Sequence, residues 1–204
     1  HWPTLLLAAS VVSLAVYPSV SLRLTGGAAA TTDQPEELVE VLAGTDMSEY
    51  SSRGNTMPYV KRPWGFNDWV PQTVDSYQDT SFWFSSKGTE FHGIRCTHQP
   101  SPWIGDYGHF LVVPHAQKDI GTLPLQFSPR GSTSIFRPYM FSAKLLEPNR
   151  RGQPVTINFE LTPTDHAALI RATFSNAAEA GHLSVIGGTS DLKISEVSGD
   201  TLRG

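Results

Sequence analysis

Short runs of alternating or aromatic residues, separated by Gly, Pro, Asn and Ser, make up most of the chain. Runs of this length are typical of strands. Their spacing and the turn residues between them predict an all-β fold, an antiparallel β-sandwich. The predicted strands cover residues 80–85, 91–98, 109–114, 144–147, 155–161 and 168–174.

Turn residues predict two hairpins. Pro, Asn and Gly between Glu147 and Pro154 supply the backbone angles of a turn. The flanking strands then place one apolar row opposite another, with Ala143, Leu145 and Leu146 facing Val155, Ile157 and Phe159. A second pair is predicted between residues 183–186 and 192–197, across a glycine-containing turn. Residues 164–180 fit a helix or a strand equally well.

The first thirty residues differ from the rest. Residues 5–16 are an uncharged apolar run, which fits a secretory signal and is shorter than the ~20 residues of a membrane span. Small residues up to Ala30 fit a cleavage site. Residues 1–30 are therefore interpreted as a leader, residues 31–204 as one exported domain, and the protein as secreted or extracytoplasmic. The alternative is that residues 5–16 form an ordinary buried element.

Composition narrows the classes of function. The chain is 39% hydrophobic, which excludes a disordered chain, and its net charge of −4 leaves no basic surplus for nucleic acid. The single cysteine, Cys96, cannot form an intrachain disulfide and is predicted to be a small buried hydrophobe. The histidine spacings match no compact metal motif, and phosphate-binding glycine loops and a nucleophile elbow are both absent from the sequence.

Two stretches combine aromatic and polar side chains, residues 44–72 and 95–108. Residues 44–72 are rich in Pro and Gly and are interpreted as a structured loop. A pyranose packs its apolar face on an aromatic ring, and its hydroxyls need planar, two-pronged partners. The sequence therefore predicts a carbohydrate site with Trp64 and Trp103 as platforms and with polar partners from Arg95, His98, Gln99 and Asp106. The alternative is a buried tryptophan beside a satisfied Arg–Asp pair, with no ligand.

At these motifs the sequence resembles the amino-terminal domain of glycoside hydrolase family 92, the calcium-dependent exo-acting α-mannosidases. The resemblance rests on Gly44-Thr45-Asp46, the Pro63-Trp64-Gly65 turn, the sixteen residues 93–108 and Val113-Pro114, and it extends over residues 38–204. Where this chain has Arg95-Cys96-Thr97-His98, many family members have Ser-His-Thr-His. The linkage specificity therefore stays open.

The resemblance implies a β-sandwich that precedes a larger helical domain, with the active site between them. It also implies an inverting hydrolysis by a Glu acid and an Asp base, and these residues and the calcium ligands lie mainly in the helical domain. We therefore expect residues 31–204 to be a truncated, substrate-binding part of an α-mannosidase, with a mannose-containing glycan as partner. No residue of this chain is assigned as catalytic or as a metal ligand. The alternatives are a non-catalytic carbohydrate-binding module and a purely structural secreted domain.

Overall fold

The computed structural model describes residues 34–45, 56–73, 84–98, 110–117, 124–129, 131–148, 153–175, 181–187, 196–198 and 201–203. These residues form one short 3₁₀ turn, Pro35–Leu38, and otherwise strands and connections. The strands are β1 Asp68–Gln72, β2 Glu90–Phe91, β3 Gly93–Thr97, β4 Phe110–His115, β5 Leu125–Gln126, β6 Ser134–Arg137, β7 Met140–Glu147, β8 Val155–Pro163, β9 Ala168–Phe174, β10 His182–Gly187, β11 Glu196–Ser198 and β12 Thr201–Arg203.

The strands form two main antiparallel sheets. Sheet 1 has the order β1-β3-β4-β10, and sheet 2 has the order β2-β5-β7-β8-β9, with β6 also paired to β7. One hydrophobic core contains residues of both sheets. The predicted all-β sandwich is confirmed. Strands β11 and β12 pair with each other in a separate ribbon.

Phenylalanine rings fill the centre of the core. The rings of Phe91 and Phe141 are stacked with centroids 6.3 Å apart, and Phe159 lies within 6.2 Å of both. From sheet 1, Ile94 and Val112 are paired across β3 and β4 and join this core. Cys96 is also buried, as predicted. Burial of apolar side chains in this core is the main stabilising contribution to the fold.

The predicted hairpin between β7 and β8 is confirmed, with one correction. Ala143 pairs with Phe159 and Leu145 with Ile157, and all four side chains are buried. The prediction for Leu146 is wrong, because Leu146 pairs with Thr156 on the opposite face. Consecutive residues of a strand point to opposite faces, so Leu145 and Leu146 cannot both face the core.

The second predicted hairpin is wrong. Strand β10 pairs with β4, where Val185 lies opposite Val112, and β11 pairs with β12. Turn-forming residues in the sequence after β10 do not determine which strand β10 pairs with. Residues 168–174, which fitted a helix or a strand, form β9. The predicted leader, residues 1–30, and residues 80–83 lie outside the described residues, whereas Phe84 and Ser85, predicted to end a strand, are in no strand.

Candidate functional site

Trp64 lies at the tip of a hairpin that leads into β1. Val60 and Trp69 exchange backbone hydrogen bonds of 2.9 and 3.1 Å, and Gly65 N–H closes the tip by donating to the Arg62 carbonyl at 3.0 Å. Trp64 has φ 66°, in the left-handed region, and its side chain is 94% exposed. A non-glycine residue in this region costs about 1–3 kcal/mol and is concentrated at functional sites. The fold therefore holds Trp64 in solvent at an energetic cost.

The hairpin tip rests on the turn between β8 and β9. Phe66 N–H donates to the Asp165 carbonyl at 2.8 Å, and the Phe66 ring stacks on His166 with centroids 4.7 Å apart. Arg62 Nε lies 3.4 Å from Asp165 Oδ1 in an exposed ion pair. Phe66 is itself 67% exposed. The tip thus presents two exposed aromatic side chains over a second turn that supports it.

Buried polar contacts fix the base of this hairpin. Trp69 Nε1–H donates to Asn67 Oδ1 at 2.6 Å, and both residues are buried. Lys61 Nζ lies 2.6 Å from Asp68 Oδ1, whose side chain is 3% exposed. Buried polar groups are tolerated when they are paired in this way. Residues 44–72 were predicted to be a loop throughout, and the structure corrects this at the end, where Asp68–Gln72 forms β1.

Arg95 is held inside sheet 1 by Gln72. Its Nε and Nη2 both donate to Gln72 Oε1, at 3.0 and 2.6 Å. Gln72 is buried and Arg95 is half-buried. Arg95 pairs with Val70 and Leu111, whereas its neighbour Ile94 pairs with Val112 of the core. Arg95 therefore points to the other side of sheet 1, which we call the Arg95 face and on which Val70, Leu111 and Val113 are buried.

The structure describes three of the five predicted site residues, Trp64, Arg95 and His98. Arg95 pairs with Val70 of β1. Val70 lies about 10 Å along the strand from the turn that contains Trp64. His98 is exposed and directly follows Thr97, which pairs with Asp68, so His98 lies at the same end of sheet 1 as Trp64. Trp103 and Asp106, like Gln99, lie outside the described residues.

Gln72 is a partner of the candidate site that sequence reasoning missed. It lies in the Pro71-Gln72 part of a segment read as a loop, and its contact with Arg95 spans 23 residues. The antiparallel register puts Gln72 opposite Gly93, two residues from Arg95 and on the same face. Only a correct pairing of β1 with β3 could have revealed this contact.

The described residues offer no metal centre. Among them there is no group of three or more His, Cys, Asp and Glu side chains that could hold an ion. Asp68 and Asp165, the carboxylates nearest the hairpin tip, are paired with Lys61 and Arg62. The described residues therefore do not fit a calcium site. Within the same part of the chain, no helix has the length and apolar character needed to cross a membrane.

Comparisons with known proteins agree on one family. The model of the glycosyl hydrolase family 92 N-terminal domain matches residues 38–202. Among solved structures, a family GH92 inverting mannosidase from Bacteroides thetaiotaomicron VPI-5482 is similar, with 30% sequence identity and a TM-score of 0.57. That match covers 72% of this chain and 19% of the mannosidase chain. A search of curated protein sequences found no match.

Proposed function

Because the chain belongs to glycosyl hydrolase family 92, as its N-terminal domain, we propose that it is the substrate-binding amino-terminal part of an exo-acting α-mannosidase. The substrates would be terminal α-mannosides of glycans. The observation that supports this most is the similarity to a mannosidase at 30% identity over 72% of this chain. The match spans only 19% of that mannosidase, so the proposal includes a larger carboxy-terminal helical domain.

Trp64 and Arg95 each have side-chain chemistry that suits part of a glycan. The exposed Trp64 ring offers an apolar platform, and a guanidinium positioned by Gln72 suits neighbouring hydroxyls. His98 lies at the same end of sheet 1 as Trp64. Trp103 and Asp106 remain part of the proposed substrate surface on sequence grounds alone.

Catalysis itself is proposed to depend on residues outside this chain. An inverting glycosidase needs an acid and a base whose carboxyl groups are about 6.5–9.5 Å apart. Near the hairpin tip, Asp68 and Asp165 are engaged with Lys61 and Arg62 and do not form such a pair across an open site. We therefore propose that the acid, the base and the calcium ligands come from the helical domain. Export of the protein by a leader at residues 1–30 is part of the same proposal.

Two gene products test the proposal together. One is the 204-residue chain, and the other is the longest reading frame that contains it. We expect the long product to release mannose from α-mannosides and to lose this activity when calcium is chelated. We expect the short chain to be inactive. Activity of the short chain, or a reading frame that ends shortly after the sandwich, would contradict the assignment. In the long product, Trp103→Ala should lower turnover while leaving the melting temperature nearly unchanged.

A carbohydrate-binding module is the second candidate, and the 94% exposed Trp64 favours it. NMR chemical shifts of the tryptophan side chains would measure binding of mannose oligosaccharides by the 204-residue chain. Two results together would favour the module: saturable binding that is lost in Trp64→Ala, and a reading frame that encodes no helical domain. Binding together with mannosidase activity of the long product would favour the enzyme.

A further inference from the structure

A serine and a histidine form a close pair on the Arg95 face of sheet 1, away from the Trp64 hairpin. His115 Nε2 lies 2.7 Å from Ser184 Oγ. His115 ends β4 and pairs with His182 of β10, and Ser184 lies two residues beyond His182 on the same face. Nothing in the mannosidase proposal uses these residues.

The hydrogen bonds of His115 fix its tautomer. Its Nδ1 lies 2.6 Å from the backbone carbonyl of Gln117, which can only accept a hydrogen bond. Nδ1 of the neutral ring must therefore hold the proton, and Nε2 presents its lone pair. The Ser184 hydroxyl then donates to Nε2. A nucleophile bonded to a base that a third group orients is the signature of an activated serine.

The surroundings of His115 hold this geometry in place. His115 is 4% exposed, and its ring stacks on His182 with centroids 5.2 Å apart. Glu147, itself 3% exposed, accepts hydrogen bonds from the backbone N–H of Ala116 at 2.6 Å and from Gln117 Nε2 at 3.2 Å. The buried Glu147 carboxylate on β7 therefore holds the Ala116-Gln117 segment, whose Gln117 carbonyl orients His115. A base supported in this way needs no rearrangement before reaction.

Reagents can reach Ser184 from the edge of the sheet. Ser184 is partly exposed, and among the described strands β10 has β4 as its only partner. On the other edge of β10, alternate backbone N–H groups have no strand partner there. In a monomeric chain these groups are the available donors for an oxyanion that forms beside Ser184.

We propose that Ser184 and His115 form an acyl-transfer site that takes small carboxylic esters, an activity separate from the mannosidase function. Ser184 Oγ forms a bond to the ester carbonyl carbon while its proton passes to His115 Nε2. The bond from that carbon to the alkoxy oxygen breaks, and the leaving alcohol takes the proton from His115. Water then repeats the sequence with the same base, which releases the carboxylic acid and restores Ser184.

The experiment uses the whole 204-residue chain and a fluorophosphonate probe, with the modified serine identified by peptide mass spectrometry. Ser142 on β7 is the internal reference, because it is also partly exposed but has no imidazole partner among the described contacts. We expect Ser184 to react at least tenfold faster than Ser142, and the difference to disappear in urea. A burst of p-nitrophenol from p-nitrophenyl acetate should disappear in Ser184→Ala and persist in Ser142→Ala.

His115→Asn separates activation from simple exposure. The Asn amide can still donate to the Gln117 carbonyl, but it cannot accept the serine proton. We expect modification of Ser184 to slow by about 10²–10⁴-fold while the melting temperature stays within a few degrees. The proposal is overturned if Ser184 reacts no faster than Ser142 in the wild-type chain, or equally fast in folded His115→Asn. If His115→Asn does not fold, the test is the faster reaction of Ser184 than of Ser142 in the wild-type chain and the loss of this difference in urea.

Discussion

The backbone at Trp64 separates the effect of this residue on stability from its proposed role in binding. A left-handed φ of 66° is unfavourable for any side chain with a Cβ, whereas glycine adopts it readily. Replacing the indole by alanine removes the ring and keeps the strain. Replacement by glycine removes both.

We expect Trp64→Gly to be more stable than Trp64→Ala by about 1 kcal/mol, because only glycine relieves the left-handed backbone. Both variants should lose mannoside binding to the same extent. Urea denaturation of the two variants measures the difference. Trp69→Ala is the control, because Trp69 is only 4% exposed. This change should lower the free energy of unfolding by about 3–5 kcal/mol. Equal stability of the two Trp64 variants would show that Trp64 does not adopt this backbone conformation in solution.

Strand β7 gives the most direct test of the register of sheet 2. Leu145 is fully buried and pairs with Ile157, whereas the adjacent Leu146 is half-buried and pairs with Thr156. Leu145→Ala should therefore cost about 2–5 kcal/mol of unfolding free energy. Leu146→Ala, the same chemical change one residue later, should cost less than half as much. A larger loss for Leu146→Ala would mean that β7 is shifted by one residue.

The same strand shows what the sequence could reveal about single elements. Alternation predicted β7 and β8 and their hairpin, because a local turn joins them and one face is buried. Alternation did not decide which of two adjacent leucines faces the core. Strand β10 also had the right length, but its partner β4 is about 70 residues away along the chain. Local turn residues contain no information about such a partner.

The candidate site was predictable only in part for the same reason. Aromatic and polar density pointed to Trp64, Arg95 and His98, and the hairpin tip does expose Trp64. The hydrogen bonds from Arg95 to Gln72 and from Ser184 to His115 join different strands. Each depends on the register of sheet 1, which no single segment of the sequence determines.

For the molecule as a whole, the chain passes from an edge strand of sheet 2 to an edge strand of sheet 1 in the order of the described strands. Strand β9 ends the order of sheet 2, and β10 ends that of sheet 1. Leu183 and Val185 lie on one face of β10 and are 49% and 48% exposed. An open edge with apolar side chains is a template for pairing with another chain, and natural proteins block such edges with lysine. This edge of β10 is open among the described strands, so we expect the 204-residue chain to associate with itself there.

We expect the average mass of the 204-residue chain in sedimentation velocity to rise with concentration, because the open edge of β10 pairs between copies. Leu183→Lys should shift the chain towards monomer without lowering its melting temperature, since a half-exposed lysine keeps its charge in water while its stem covers the apolar surface. Leu169→Lys is the matched control, because Leu169 is 72% exposed on the other edge strand, β9, and should leave association unchanged. A wild-type chain that stays monomeric at every concentration, or equal effects of the two lysines, would rule out β10 as the site of association.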